Sequence, residues 1–279
     1  MRLLSILIKS VFEELLNLDY SAVTRYLISR IRNKVSETGF DKVVVGLSGG
    51  LDSSVTVKLL TEALESSRVL ALIMPDSRVT DKADVEDAVN LAESLGVNYR
   101  ILNIDGIVDE YAKILGVDNY ESIPIGNLRT RIRMSILYYY ANTTKALVAG
   151  TSDKSEILIG YFTKYGDGAA DFYPIACLYK SQVRRLAEYL GLPSRIIRKP
   201  SSPGFWRGHL AEEEIGLKYE VIDSILYLLF DKKLSIDEII TNYNFDRDVV
   251  VKVLSMFRRS MHKRVLINEE DLYLPNPPI

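Results

Sequence analysis

A β-branched run at residues 42–47 (KVVVGL) breaks at Ser48-Gly49-Gly50 and passes at once into a stretch with helical spacing. In that stretch, residues 51–65, the apolar positions Val55, Leu59, Leu60 and Leu64 recur on one side. A continuous apolar strand joined by a glycine turn to a helix begins a βαβ unit, which needs a parallel sheet covered on both faces. The pattern then repeats. Residues 69–74 (VLALIM) form a second apolar run, and residues 82–95 carry Val85, Ala88, Val89, Ala92 and Leu95 at helical spacing. Residues 99–104 (YRILNI) and 146–149 supply two more strands. The expected fold is therefore α/β, a doubly wound, mostly parallel sheet with N- and C-terminal helices. Residues 1–279 read as a single domain. Residues 1–40 are helical, in two pieces broken near Asp19, and residues 41–190 are the α/β core. In residues 191–279 the strand signal fades, and 217–230 and 247–261 read as helices.

Composition narrows the function classes. Hydrophobic residues make up 47% and charged residues 26%, enough to bury a sizeable core. Thirty-five basic residues against 37 acidic ones leave a net charge of −2, so bulk charge gives no nucleic-acid footprint and no such partner is expected. Cys177 is the only cysteine, which excludes an intrachain disulfide or a multi-cysteine metal site within one chain. Cysteine and glutamine occur once each, the scarcity of thermolabile side chains found in heat-adapted proteins. The first 18 residues combine Lys9, Glu13 and Glu14 with Leu4, Ile8, Phe12, Leu15 and Leu16, an amphipathic helix rather than a signal peptide. No run reaches the roughly 18 uncharged apolar residues of a membrane span. A cytoplasmic protein without membrane partners is expected.

The turn Ser48-Gly49-Gly50-Leu51-Asp52-Ser53-Ser54 lies between strand and helix. Glycines admit a close anion, the free N–H groups at the helix start favour negative charge, and Ser48, Ser53 and Ser54 add hydroxyl donors. Asp52 repels phosphate unless a cation lies between them, and Mg²⁺ suits that place because it is shared between carboxylates and substrate phosphates. There is no Gly-Lys-Ser/Thr, so this is not a Walker A loop. The string resembles the phosphate loop of the N-type ATP pyrophosphatases, in which the β- and γ-phosphates are held while the α-phosphate is attacked.

A second constellation, residues 150–171 (GTSDKSEILIGYFTKYGDGAAD), gathers Thr151, Asp153, Glu156, Lys164, Asp167 and Asp171. Gly166 and Gly168 flank Asp167, which marks a tight loop holding a carboxylate. With Asn127, Arg131-Ile132-Arg133-Met134, Leu178, Lys180, Gln182, Lys199-Pro200-Ser201, Trp206, Gly208, Glu212-Glu213-Glu214-Ile215-Gly216 and His262-Lys263-Arg264, this stretch resembles the ammonia-dependent NAD synthetases. The likeness runs over residues 43–264. It departs at His209 and Ala211, where that family often has Gln and Asp, and this bears on closure of the later substrate loop.

The resemblance implies a ligase that amidates nicotinic acid adenine dinucleotide with ammonia, using ATP and Mg²⁺, and releases NAD, AMP and pyrophosphate. By matching position, Gly46, Leu47, Ser48, Gly49, Gly50, Leu51, Asp52 and Ser53, with Thr151, Lys180 and Ser201, would contact ATP. Asp52 and Glu156 would hold Mg²⁺. Arg131, Lys164, Asp171, His262 and Lys263 would contact the dinucleotide, and Asp52 and Asp167 are the catalytic candidates. Asp167 is a candidate base for ammonium, the abundant form at neutral pH. Cys177 has no glutaminase-like context, so free ammonia, or ammonia from a separate protein, is the expected nitrogen source. The resemblance further implies a homodimer, through the N-terminal helices and Tyr138-Tyr139-Tyr140. Two other readings stand beside it: a tRNA-modifying pyrophosphatase that shares the phosphate loop, and a nucleotide-binding regulatory module without catalysis.

Overall fold

The computed structural model describes residues 2–265, with side chains from Lys9 onward. Met1, the side chains of Leu4 and Ile8 used above, and residues 266–279 lie outside that description.

Two helices come first, α1 (Arg2–Leu16) and α2 (Tyr20–Glu37). The break between them is a capping event. Asp19 Oδ1 accepts the amides of Ser21 and Ala22 at 3.0 and 3.1 Å, satisfying two donors that a helix start leaves free. The core alternates β1 (Lys42–Gly46), α3 (Leu51–Leu64), β2 (Val69–Ile73), α4 (Lys82–Ser94), β3 (Asn98–Ile101), α5 (Asp105–Leu115), α6 (Ile123–Thr144) and β4 (Ala146–Ala149). After it come α7 (Lys154–Ile159), α8 (Lys180–Tyr189), α9 (Ser194–Ile197), α10 (Ala211–Ile215) and α11 (Tyr219–Leu226), which runs into a π-helical turn. The last helices are α12 (Ile236–Tyr243), α13 (Arg247–Arg259) and α14 (Met261–Arg264).

The four strands are all parallel, in the order β3-β2-β1-β4, with Val43 registered against both Val69 and Leu147. Val43 and Val45 face one apolar cluster, with residues of α2, α3, α4 and α8. Val44 faces the other, with α5 and α6. That alternation on fully buried residues is why the strand reads as an unbroken apolar run. The pattern at 99–104 predicts one strand; regular strand geometry ends at Ile101, although Leu102 and Ile104 still donate to Ile73 and Pro75.

A third cluster lies apart from the sheet, built from α10, α11, α12 and α13. Val11 and Leu15 of α1 belong to it, whereas Leu27, Ile31 and Val35 of α2 pack on the sheet. The two N-terminal helices thus serve different cores. No helix among the described residues is long and apolar enough to cross a membrane.

The strand order locates the site. The chain moves from β1 outward to β2 and β3, then returns to β4 on the other side of β1. In open α/β sheets the crevice at such a reversal, beyond the carboxyl ends of the strands, is where ligands bind. Here it brings the turn after β1 next to the turn after β4.

Candidate active site

The turn after β1 is braced by its own hydrogen bonds. Ser53 Oγ accepts the Ser48 amide at 3.2 Å and lies 3.0 Å from Ser48 Oγ, while Ser54 Oγ donates to the Gly50 carbonyl at 2.7 Å. Gly50 is the N-cap of α3 and has no side chain to cap it, so the amides of the first turn face outward for an anion. Gly49 has φ +75°, and a Cβ there would lie 2.1 Å from the Asp84 carbonyl oxygen of α4. From the far side Lys199 donates to the Gly49 carbonyl and to Asp84, both at 2.7 Å, and to Asp87 at 2.9 Å. Leu47 and Leu51 are buried in the sheet core, so only their backbone is free for a nucleotide.

Asp52, at the start of α3, meets the turn after β4. There Asp153 caps α7: its Oδ1 accepts the Glu156 amide at 2.9 Å, and Glu156 Oε2 accepts the Asp153 amide at 3.4 Å. This reciprocal box leaves one oxygen of each carboxylate free. Between them lies Lys180, the first residue of α8, only 1% exposed in its side chain. Its ammonium is 2.6 Å from Asp52 Oδ2, 2.7 Å from Glu156 Oε1 and 3.0 Å from Asp153 Oδ2. The Asp153 approach is an ion pair without hydrogen-bond alignment, since that oxygen has no hydrogen-bond partner. Burial opposes the charge on Lys180, but Asp153, Asp52 and Glu156 outweigh it and hold its pKa well above that of a free lysine. Burial also raises Asp153, to about 6, and Glu156, in each case against the pull of Lys180.

Ligand oxygens of Asp52, Asp153 and Glu156 lie within 4.8 Å of one another. Asp52 Oδ1 and Asp153 Oδ2 are buried acceptors without a hydrogen-bond donor. An all-oxygen, acidic donor set with vacant acceptor capacity beside a phosphate-type loop fits Mg²⁺. The resemblance implies Asp52 and Glu156 as ligands, and the fold adds Asp153 to the same acidic group. The Asp-x-x-Glu spacing of a capping box was the signal that ties Asp153 to Glu156.

The loop that follows is braced against α6. Thr163 donates its hydroxyl to Asn127 Oδ1 at 2.6 Å and its amide to Asp167 Oδ1 at 2.7 Å. Arg131 donates to the Lys164 carbonyl at 3.2 Å, and the Lys164 ammonium rests 5.1 Å from the Tyr165 ring centroid. Crowding by surrounding protein pushes the Asp167 carboxyl up to about 6, against the amides that bond to it. Its surface is open to water, and that solvation limits the rise. Asp171 accepts the Val148 amide at 2.7 Å and the Tyr138 hydroxyl at 3.3 Å, closing the free edge of β4. Thr151 stands between Gly150, whose amide donates to the Phe172 carbonyl, and the cap of α7.

His262 and Lys263 arrive on α14. Lys263 donates to the carbonyls of Gly160 and Phe162 at 2.9 Å each, and burial lowers its pKa. His262 is exposed, its Nδ1 3.1 Å from the Arg259 carbonyl oxygen. The later loop joins the same region. Ser201 accepts the Ala211 amide, and His209 stacks on Trp206 with centroids 3.5 Å apart. His209 Nε2 lies 2.9 Å from Glu214 Oε2, to which Tyr161 also donates. The unusual His209 thus takes part in tying this loop to residues 150–171, and Ala211 packs into the third cluster.

The comparisons agree with this architecture. The family model described as NAD synthase matches residues 23–267. The NH(3)-dependent NAD(+) synthetase of Hyperthermus butylicus is 55% identical over 253 residues, 91% of each chain. Its namesake from Staphylothermus marinus is 50% identical, over 91% of this chain and 92% of the relative. Among solved structures, an NH3-dependent NAD synthetase from Campylobacter jejuni in complex with the nitrate ion has a TM-score of 0.75 and 34% identity, covering 90% of this chain and 99% of that one. An NMN synthetase from Francisella tularensis has a TM-score of 0.79 and 30% identity, covering 93% and 100%. These neighbours have the adenine nucleotide alpha-hydrolase-like fold. With the family model matched over most of the sequence, this chain belongs to the NAD synthase family.

Proposed function

We propose that this chain is an ATP-dependent ligase that converts nicotinic acid adenine dinucleotide and ammonia into NAD, AMP and pyrophosphate. The observation that carries the proposal is Lys180 held among Asp52, Asp153 and Glu156 beside the open amides of the phosphate loop. A carboxylate does not react with ammonia, because oxide is a poor leaving group. Adenylation converts it into a mixed anhydride from which ammonia displaces AMP. The loop amides, with the hydroxyls of Ser48 and Ser53, take up the charge that develops on pyrophosphate. Thr151 and Ser201 add nucleotide contacts, and the Lys180 cation offsets charge on the phosphates.

Asp52 and Glu156, together with Asp153, would hold Mg²⁺. When bound, it would supply Lewis-acid stabilisation of phosphate oxygens. Arg131, Lys164, Asp171, His262 and Lys263 are proposed to receive the dinucleotide. Asp167 is proposed to accept the proton of ammonium. Asp167→Asn should then slow amide formation more than adenylation, so that adenylate accumulates in rapid-quench experiments. A fall of both half-reactions together would reduce Asp167 to a holder of the Thr163 amide.

A product assay with ATP, Mg²⁺, ammonium and the dinucleotide tests the whole reading. NAD and AMP should form in equal amounts, and only with ammonium. ADP and phosphate in their place would rule out attack on the α-phosphate. The likeness to an NMN synthetase favours a second substrate, the mononucleotide analogue. A higher kcat/KM for nicotinic acid mononucleotide would select it.

The chain is proposed to act as a single catalytic unit and to form a homodimer through its exposed apolar edge. Ile101 of β3, Ile107 of α5 and Tyr139 of α6 line a concavity of about 550 Å³ there and are all exposed. Sedimentation velocity should give a dimer, and Ile107→Glu with Tyr139→Lys should give a monomer. Wild type sedimenting as a monomer would end the dimer proposal.

A further inference from the structure

Helix α11, which helps build the third cluster, also carries a buried carboxylate to which the proposed chemistry gives no task. Asp223, on α11, is closed to solvent. Among the described residues no lysine or arginine pairs with it; its oxygens accept the Ser155 hydroxyl at 2.5 Å and the Ser181 amide at 2.8 Å. Burial pushes this carboxyl up to about 7, against those two donors. An unpaired carboxylate in such a place is costly, and what it bonds to shows what it offsets.

Helix α8 begins without the usual side-chain cap, because its N-cap is Tyr179, whose hydroxyl is engaged with Asp231. Its first two amides are satisfied from outside the helix. Ser181 donates to Asp223, and Lys180 donates to Ser155 Oγ at 2.9 Å. Asp223 and Ser155 thus replace the missing cap, and the carboxylate faces the positive end of the helix. Ser155 also stands between Asp153 and Glu156 in sequence. One buried carboxylate therefore clamps two chain segments, one carrying Lys180 and the other carrying Asp153 and Glu156.

We propose that Asp223 is a positioning residue, which through Ser155 and the start of α8 sets the Lys180 ammonium relative to Asp52, Asp153 and Glu156. The proposal rests on the function given above only where turnover is the readout. Asp223→Asn, Ser155→Ala and the double variant test it in the full chain. Each single change should lower kcat on the order of 10- to 100-fold, the range for residues that orient direct ligands. KM for the dinucleotide should change by less than about twofold, and the thermal midpoint by only a few degrees. The double variant should be no slower than the slower single one, since both changes break one chain of bonds.

If Asp223→Asn fails to fold, Ser155→Ala carries the test alone, because it removes a single hydroxyl. Wild-type kcat in Ser155→Ala would overturn the proposal. So would kcat and thermal midpoint falling together, with activity restored on cooling. If the wild-type protein makes no NAD, the functional reading fails, and the clamp is judged by calorimetry with a non-hydrolysable ATP analogue and Mg²⁺. Affinity about tenfold weaker in Ser155→Ala supports the clamp, and unchanged affinity overturns it.

Discussion

Lys180→Met is expected to abolish NAD formation and to destabilise the ligand-free protein by about 3–5 kcal/mol, the range for removing one partner of a buried ion pair. Three carboxylates converge on this ammonium, and two of them, Asp52 and Glu156, retain about a fifth of their side-chain surface. That exposure places the loss nearer the lower end. The pH dependence has a definite sign. The Lys180 pKa is raised in the folded state, so its stabilisation is complete below the unfolded value near 10.4 and is lost only as pH rises through the folded one. Wild type therefore keeps it across neutral pH. In the variant, Asp153 and Glu156 are buried without their cation, so their folded pKa values rise further. The folded state then binds more protons than the unfolded one, and stability falls as pH rises. Thermal unfolding in a chelator should find Lys180→Met more stable at pH 5 than at pH 7.5. Millimolar Mg²⁺ should recover part of the loss, because a cation again stands among the carboxylates. An unchanged midpoint at pH 7.5, or turnover within about tenfold of wild type, would remove Lys180 from the centre of the site.

The alternation of strands and helices was legible because both faces of this sheet are covered. The inner strands β1 and β2 then carry unbroken apolar runs, and α3 and α4 repeat apolar positions at helical spacing, whereas the edge strand β3 is largely exposed. Helix α6 was not legible. It buries Arg129 completely and leaves Tyr139 exposed, the reverse of the usual pattern. The reason is an ion pair inside the protein. Arg129 lies 2.6 Å from Oδ2 of Asp76, in the loop that follows β2, and donates to the carbonyls of Tyr120 and Phe205. Burial alone would raise Asp76, but Arg78 and Arg129 hold its carboxyl at about 2. Such a pair belongs to tertiary structure, and no periodicity encodes it.

The site divides in the same way. The phosphate loop was readable because its anion-binding elements, glycines and a helix start, are contiguous in sequence. Glu156 stood out within the acidic stretch 150–171, and the resemblance strengthened it as a metal ligand, whereas Lys180 entered only through the resemblance, since chemistry alone gives it the surface role of most charged residues. Lys180 and Asp52 are 128 positions apart, and only the return of the chain to β4 brings them together. Asp153 was visible in sequence but unassigned, because a helix cap and a metal ligand call for the same residue type. His209 read as a departure from the family pattern, and its stacking on Trp206 depends on the fold of the later loop.

Gly49→Ala should have the second largest effect, and it separates two reasons for a glycine. With φ +75°, alanine there costs about 1–2 kcal/mol from backbone sterics alone. The added Cβ would also meet the Asp84 carbonyl oxygen at 2.1 Å, and this contact is to backbone, which cannot rotate away. Relief requires the turn to move off α4, away from the Lys199 bonds that hold Gly49 to Asp84 and Asp87. The amides proposed to face the phosphates move with it. KM for ATP should rise at least on the order of 100-fold, equivalent to about 2.7 kcal/mol, and the thermal midpoint should fall. Gly50→Ala is the internal comparison. Gly50 has φ −85°, and its nearest neighbour would be the Ser48 hydroxyl oxygen at 3.3 Å, the end of a side chain that can turn. Its stability should stay within about 0.5 kcal/mol of wild type. If the two alanine variants unfold at the same temperature and bind ATP alike, close packing of the phosphate loop against α4 is not what shapes the site.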